Sequence, residues 1–312
     1  METFLLALRL VTPMCIFMII GYLLQRKNFF TEQALAGINK FLFKFILPIN
    51  IAKSIYSSNI RNGGNWNVII FVMCATTVLN LICAVVMPRL ESDRRKIPVM
   101  IQGVAKSNYV LIGLSMVAMI YGDNIGMAGV MVAATALFNN TFSTIFFEYY
   151  RGKKISVGSF IKKIVTNPLV MSGLIGLAIN LSGIRLPDII ANDVVGKISS
   201  CANPIALIIM GAGFNFEYAG RYKKQIGIVA VCRLVLVPLV EIPIMILLGF
   251  RGVDLLALTI CAATPTAVNS YSTAVSMGGD GDLAGAIVAI TSICSVLTIF
   301  LWVSVLSMLG VL

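Results

Sequence analysis

Lys106, Ser107 and Asn108 are consecutive in an otherwise apolar stretch, IQGVAKSNYVLIGLSMVAMIYG, at residues 101–122. The stretch is long enough to cross a bilayer, where an ammonium at mid-depth costs about 2.5–3.5 kcal/mol on insertion scales. A second interruption, ATPTAVNSYS, falls at residues 263–272. There Pro265 removes a backbone donor, clashes with the preceding turn and pushes Thr264 out of the helical region. Thr264 is therefore expected to N-cap a new half-helix starting at Pro265, and Ser107 or Asn108 to cap the second half of the first stretch. Two such N-termini present free N–H groups and partial positive charge, and Lys106 adds a full one. The expected site is electropositive and suits a small anion such as a carboxylate. Its candidate residues are Lys106, Ser107, Asn108, Thr264, Pro265, Thr266, Asn269, Ser270 and Tyr271.

Other polar residues within apolar stretches are candidates for a coupling or pathway role. Glu241 lies between Pro238 and Pro243, about 12 Å from the end of its helix at 1.5 Å per residue. Lys44 is about midway along its stretch, and Asn139 and Asn140 either face a pathway or bond a neighbouring helix. Arg233 and Lys197 are nearer the ends of theirs and are expected to snorkel.

The composition removes several chemistries. There is no histidine, so zinc sites, Ser-His triads and histidine proton relays are unavailable. The seven cysteines lie in apolar segments without paired spacing, and read as small buried hydrophobes rather than metal ligands or disulfides. With no nucleophile–base pair, no metal cluster and no cofactor signature, an enzyme is not expected. Coupling to protons or sodium is left open.

The elements that must position these residues are transmembrane helices. Hydrophobic residues make up 58% of the chain, charged residues 12%, and the apolar runs are continuous rather than alternating. The expected fold is an all-α polytopic membrane protein with ten spans at about 4–24, 33–56, 67–88, 98–121, 125–148, 161–181, 190–214, 225–249, 254–277 and 284–308. The first reads as a membrane helix and not a removable signal. The net charge of +11 does not point to nucleic acid, because the basic residues gather in short loops.

Loops 1–2, 3–4, 5–6 and 7–8 hold fourteen of them: Arg26, Lys27, Arg89, Arg94, Arg95, Lys96, Arg151, Lys153, Lys154, Lys162, Lys163, Arg221, Lys223 and Lys224. The opposite loops hold three, Arg61, Arg185 and Arg251. The rich side is cytoplasmic by the positive-inside rule, which puts both termini of a ten-span cell-membrane protein outside. Loop 9–10 is the exception, with Asp280 and Asp282 and no basic residue.

The chain also repeats itself. Pro13 matches Pro168 at an offset of 155, Pro48 matches Pro204 at 156, and Gly122–Asp123 matches Gly279–Asp280 at 157. Half the chain length is 156 residues. Five spans per copy is odd, so the second copy, residues 151–312, must be inverted relative to the first, residues 1–150. That is the inverted-repeat architecture of secondary transporters. Asn108 then corresponds to Pro265, and both spans break at one depth. Pro48 and Pro204 are expected to be simple kinks.

At these residues the sequence resembles the auxin efflux carrier family, in GINKF…LP of span 2, KSNYVLIGL of span 4, FFEYYRGKK after span 5 and PTAVNSY…GGD of span 9. The resemblance implies spans 4 and 9 broken and crossing at the substrate site, with Asn108 meeting a substrate carboxylate and Pro265 at the second break. It implies a scaffold of spans 1, 2, 6 and 7 beside a mobile domain of spans 3–5 and 8–10, working by alternating access. Ser115 stands where the family usually has a proline, and the long 5–6 insertion of many plant members is absent. The resemblance implies a carrier for organic anions, with auxin-type monocarboxylates in plants and dicarboxylates such as malate or malonate among bacterial relatives. Lys106, more basic than the plant exporters need, favours a bacterial-type permease for a mono- or dicarboxylate. The expected partners are a small organic anion and the lipid bilayer, and a homodimer is compatible with the sequence. The alternative is a membrane-embedded sensor or lipid-binding receptor that kept the permease fold without turnover.

Overall fold

A computed structural model describes residues 2–57, 66–109, 113, 116–117, 128–152, 158, 161–162, 165–213 and 220–311. Ser115, Gly122, Asp123, Arg61, Lys153, Lys154 and Lys163 lie outside the described residues. The elements are α1 (Glu2–Arg26), α2 (Glu32–Tyr56), α3 (Trp66–Leu90), α4 (Ile97–Ala105), α5 (Ala128–Tyr150) and α6 (Pro168–Ser182). They continue with α7 (Ile189–Ala212), α8 (Lys223–Leu247), α9 (Gly252–Ala263), α10 (Asn269–Met277) and α11 (Gly281–Met308). Five of them, α2, α3, α7, α8 and α11, are long and apolar enough to cross a membrane, and shorter apolar helices accompany them. The chain is an all-helical, multi-pass integral membrane protein. Among the described residues the only β-type contact is one antiparallel bridge, Ser107 to Thr266.

Local signals account for many of the ends. Thr31 caps α2 by accepting from the Ala34 amide at 3.1 Å, and Asn167 caps α6 by accepting from Leu169 at 2.9 Å, with Pro168 first in the helix. α6 stops at Gly183, whose φ of 72° suits a residue without Cβ.

The prolines are not simple kinks. Pro48 follows a π-turn at Leu42–Ile46 in α2, and Pro238 follows another at Cys232–Leu236 in α8. Each wider turn accommodates the bond that proline cannot make. In α8 the carbonyl of Leu234, four residues before Pro238, accepts instead from the Trp302 indole N–H at 3.0 Å. Pro204 lies just past a break at Cys201 inside α7. Pro88, expected to end its span, is inside α3, which continues to Leu90.

α1 packs along α7, and α2 packs along α6. Both pairs depend on glycine at the closest approach. A Cβ on Gly21 would fall 2.0 Å from the Ile208 carbonyl oxygen, and one on Gly176 would fall 2.7 Å from that of Ala52. Gly21 and Gly176 are 155 residues apart, and Ile208 and Ala52 are 156 apart. The same contact therefore occurs twice at the sequence offset of the prolines.

The loop between α3 and α4 gathers the ends of several helices on one face. Glu91 accepts from Gln225 at 2.6 Å, and Arg94 donates to the Tyr150 carbonyl at 3.3 Å. The Arg95 carbonyl accepts from the Asp280 amide at 3.1 Å. Asp280 in turn caps α11 and accepts from the Tyr222 hydroxyl at 2.9 Å. Burial and that bond to a carboxylate push the Tyr222 phenol up to about 12. Loop 9–10, the exception by charge, is thus on the same face as loops 3–4 and 7–8.

Candidate functional site

α4 ends at Ala105, and Lys106 turns extended with ψ of 97°. α9 ends at Ala263, and Thr264 turns extended with ψ of 151°. The two extended segments run antiparallel. The Asn108 amide donates to the Pro265 carbonyl at 2.9 Å, and the Ala267 amide donates to the Lys106 carbonyl at 3.0 Å. Backbone groups freed by the breaks are therefore satisfied by each other, as burial in a membrane protein requires.

This pairing corrects one expectation. Thr264 does not cap a helix starting at Pro265; it ends α9, and its hydroxyl donates back to the Cys261 carbonyl at 3.2 Å. Because residues 265–267 are engaged across the gap, α10 begins only at Asn269. The second half of the other span lies mostly outside the described residues, so capping there by Ser107 or Asn108 is not described.

Beside the crossing is a polar cavity of about 50 Å³, several times the room one water needs. Of the expected residues it brings together Lys106, Ser107, Asn108, Asn139, Asn140 and Asn269. Asn50 and Asn203 also line it, so six carboxamides surround one small space. Four of them have a buried atom without a hydrogen-bond partner among the described residues: Nδ2 of Asn108 and Oδ1 of Asn139, Asn140 and Asn269. Asn140 donates to Ala136 in its own helix, at 2.7 Å, and not to a neighbouring one. Such orphaned groups are expensive unless something polar enters beside them.

Lys106 is 3% exposed. Its ammonium meets the Thr273 hydroxyl at 3.5 Å, and no carboxylate lies within ion-pairing distance of it among the described residues.

Other expected residues serve the crossing instead of lining the cavity. Thr266 donates through its hydroxyl to the Gly103 carbonyl at 2.6 Å and through its amide to Thr291 at 3.3 Å, which ties both breaks to α11. The Ser270 carbonyl accepts from Gln102 at 2.9 Å. Pro265 contributes its carbonyl to the bridge. The Tyr271 hydroxyl lies against Gly213, the residue just after α7, where a Cβ would come within 2.6 Å. Lys44 is exposed on the π-turn of α2 and is not brought to the cavity.

Glu241 is not in the cavity either. It lines a smaller pocket that shares Ser107 and Asn139 with it and also contains Arg233 and Cys261. Arg233 corrects a further expectation. It does not snorkel: its side chain is 2% exposed and donates to the carbonyls of Thr264, Val104 and Cys261. The π-turn that precedes Pro238 contains Arg233 and directs it inward. Lys197, by contrast, is exposed and pairs with Asp193 at 3.3 Å.

Sequence reasoning passed over Asn50, Asn203, Ser54 and Thr135 of the lining. For the two asparagines a signal was present: each is within two residues of a proline of the matched pair, Pro48 or Pro204.

A protein described as an uncharacterized transporter from Methanothermobacter thermautotrophicus is 26% identical over 303 residues, covering 95% of this chain and 97% of its own. The membrane transport protein family matches residues 6–303, which include both breaks and every lining residue of the cavity. The chain belongs to that family, the auxin efflux carrier-like transporters whose motifs it resembles.

Proposed function

We propose that the chain is a secondary transporter for a small organic anion, a mono- or dicarboxylate, that works by alternating access around the crossing of its two broken spans. The observation that carries this is the Lys106 ammonium, buried without a carboxylate partner among the described residues, beside carboxamides with unused polar atoms. A buried unpaired cation is costly, and an entering carboxylate offsets that cost while accepting from Lys106 and Asn108. The cavity volume of about 50 Å³ favours a compact substrate over a large aromatic one.

The ten-span inverted repeat belongs to this reading. It is supported by the paired glycine contacts and by the meeting of Asn108 with Pro265, residues that correspond at the repeat offset. The scaffold of α1, α2, α6 and α7 is supported by the close α1–α7 and α2–α6 pairs. The mobile domain is supported by the network that ties Arg95, Tyr222 and Asp280 together on one face. With that face cytoplasmic, both termini are outside. Glu241, one shared wall away from the cavity, is the candidate for carrying a coupling proton.

The test is counterflow in proteoliposomes across a panel of mono- and dicarboxylates, with proton and sodium gradients imposed separately. Saturable exchange of at least one carboxylate is expected. Binding without exchange for every member would favour the receptor reading, and neither binding nor exchange would overturn the carboxylate assignment.

A further inference from the structure

Arg233 is an unusual group to find at the centre of a cation-attracting arrangement. Its Nε donates to the Thr264 carbonyl at 2.8 Å, one terminal nitrogen to the Cys261 carbonyl at 2.7 Å, and the other to the Val104 carbonyl at 3.2 Å. Two of these oxygens come from the last turns of α4 and α9, the two helices that break, and the third from Thr264, the extended residue just past α9. Helix C-termini carry partial negative charge, and here two of them converge. In transporters with discontinuous helices, unwound carbonyls and half-helix C-terminal ends are the groups that coordinate sodium.

Neighbouring carbonyls of the breaks are also taken. Gln102 accepts from the Lys106 amide, Gly103 from Thr266, Ile260 from the Thr264 amide, Lys106 from Ala267 and Pro265 from Asn108. Among the described residues no carboxylate oxygen lies within 4.0 Å of the Arg233 nitrogens, although Glu241 shares a pocket with it.

We infer that Arg233 is a built-in cation of the crossing: its guanidinium permanently occupies the carbonyl cage at the ends of α4 and α9 where a sodium ion would otherwise bind, so the protein requires no sodium. The planar fork suits this role, because it satisfies three fixed carbonyls at once and stays charged at any working pH. The consequence for transport rests on the anion-carrier reading above; the occupied cage does not.

The cage is tested without any anion substrate, by thermal unfolding of the purified full chain in sodium chloride and in choline chloride at equal ionic strength. The wild-type midpoint is expected to be the same in both salts. Arg233→Ala opens the cage, and its lowered midpoint is expected to rise by several degrees in sodium relative to choline, since a cation bound only to the folded state stabilises it. Arg233→Lys keeps a charge in place and is expected to be indifferent to sodium. Should Arg233→Ala not yield folded protein, Arg233→Gln is read in its place, because a neutral amide reaches fewer carbonyls and leaves room for the ion. Sodium stabilisation of the wild type overturns the inference. So does indifference to sodium in the neutral variant that folds, or a sodium response in Arg233→Lys equal to that of the neutral variant. Replacing sodium by choline in the counterflow assay is expected to leave wild-type exchange unchanged. Loss of all exchange in both salts would count against the carrier reading and leave the thermal result standing.

Discussion

The amide of Asn108 donates to the carbonyl of Pro265 at 2.9 Å, joining two residues that are 157 apart in sequence, one from each break. The backbone of Asn108 thus holds the crossing, while its side-chain Nδ2 is buried, lacks a partner and belongs to the cavity. Backbone and side chain of this one residue therefore face different places, the crossing and the cavity.

That division makes Asn108→Ala a clean test. The backbone bond to Pro265 survives the substitution, so the fold is expected to persist, and only a side-chain donor is lost. A hydrogen bond to a charged group contributes about 1.5–3 kcal/mol, so affinity for the carboxylate that proves to exchange should fall about tenfold to a hundredfold. Lys106→Ala removes a full charge and should weaken binding at least as much. Titration calorimetry on monodisperse protein reads both, and unchanged affinity in the two variants would remove these residues from the site.

Much of this site was legible in the sequence, for reasons that explain what was not. The breaks were visible because a charge at 106 and a proline at 265 violate the rules of an apolar helix locally. Helix ends followed hydropathy closely; the span expected at about 190–214 is Ile189–Ala212. The capping role given to Thr264 failed because the residues after it, Pro265 and Ala267, pair with Asn108 and Lys106 some 160 residues away, which no local rule detects. Arg233 was misjudged because its direction is set by a π-turn, a one-residue change of register that shifts a side chain to another face without altering hydropathy. Asn50 and Asn203 were missed because single amides in apolar helices carry no pattern of their own.

The glycine pair gives a stability prediction with its own control. Adding a methyl group at Gly21 or Gly176 drives it into a backbone carbonyl, at 2.0 and 2.7 Å, and the facing helix must move. Overpacking of this kind costs about 1–3 kcal/mol. Gly37 in α2 has nothing within 4 Å of the same position. Gly21→Ala and Gly176→Ala are expected to lower the unfolding midpoint, and Gly37→Ala to hold or raise it, since alanine is the better helix former by about 1 kcal/mol. Equal behaviour of the three variants would mean that the helix pairs are not in close contact at these points.

The Tyr222–Asp280 bond predicts a pH dependence whose sign follows from the phenol. Burial and the neighbouring carboxylate raise its folded-state value to about 12, against about 10 in an unfolded chain. A group raised in this way stabilises the folded protein fully below the unfolded value, and that contribution disappears as pH climbs through the folded one. Tyr222→Phe removes the hydroxyl and leaves Asp280 to cap α11 alone. The variant should be less stable than wild type by a constant margin from neutral pH to about 10, of the order of 1.5 kcal/mol for a bond to a charged acceptor. Between about 10 and 12 the margin should close, because the wild type loses what the variant never had. Unfolding midpoints of both proteins across this range measure it directly. A margin that stays constant to the alkaline limit would show that the hydroxyl acts through packing and not through its proton.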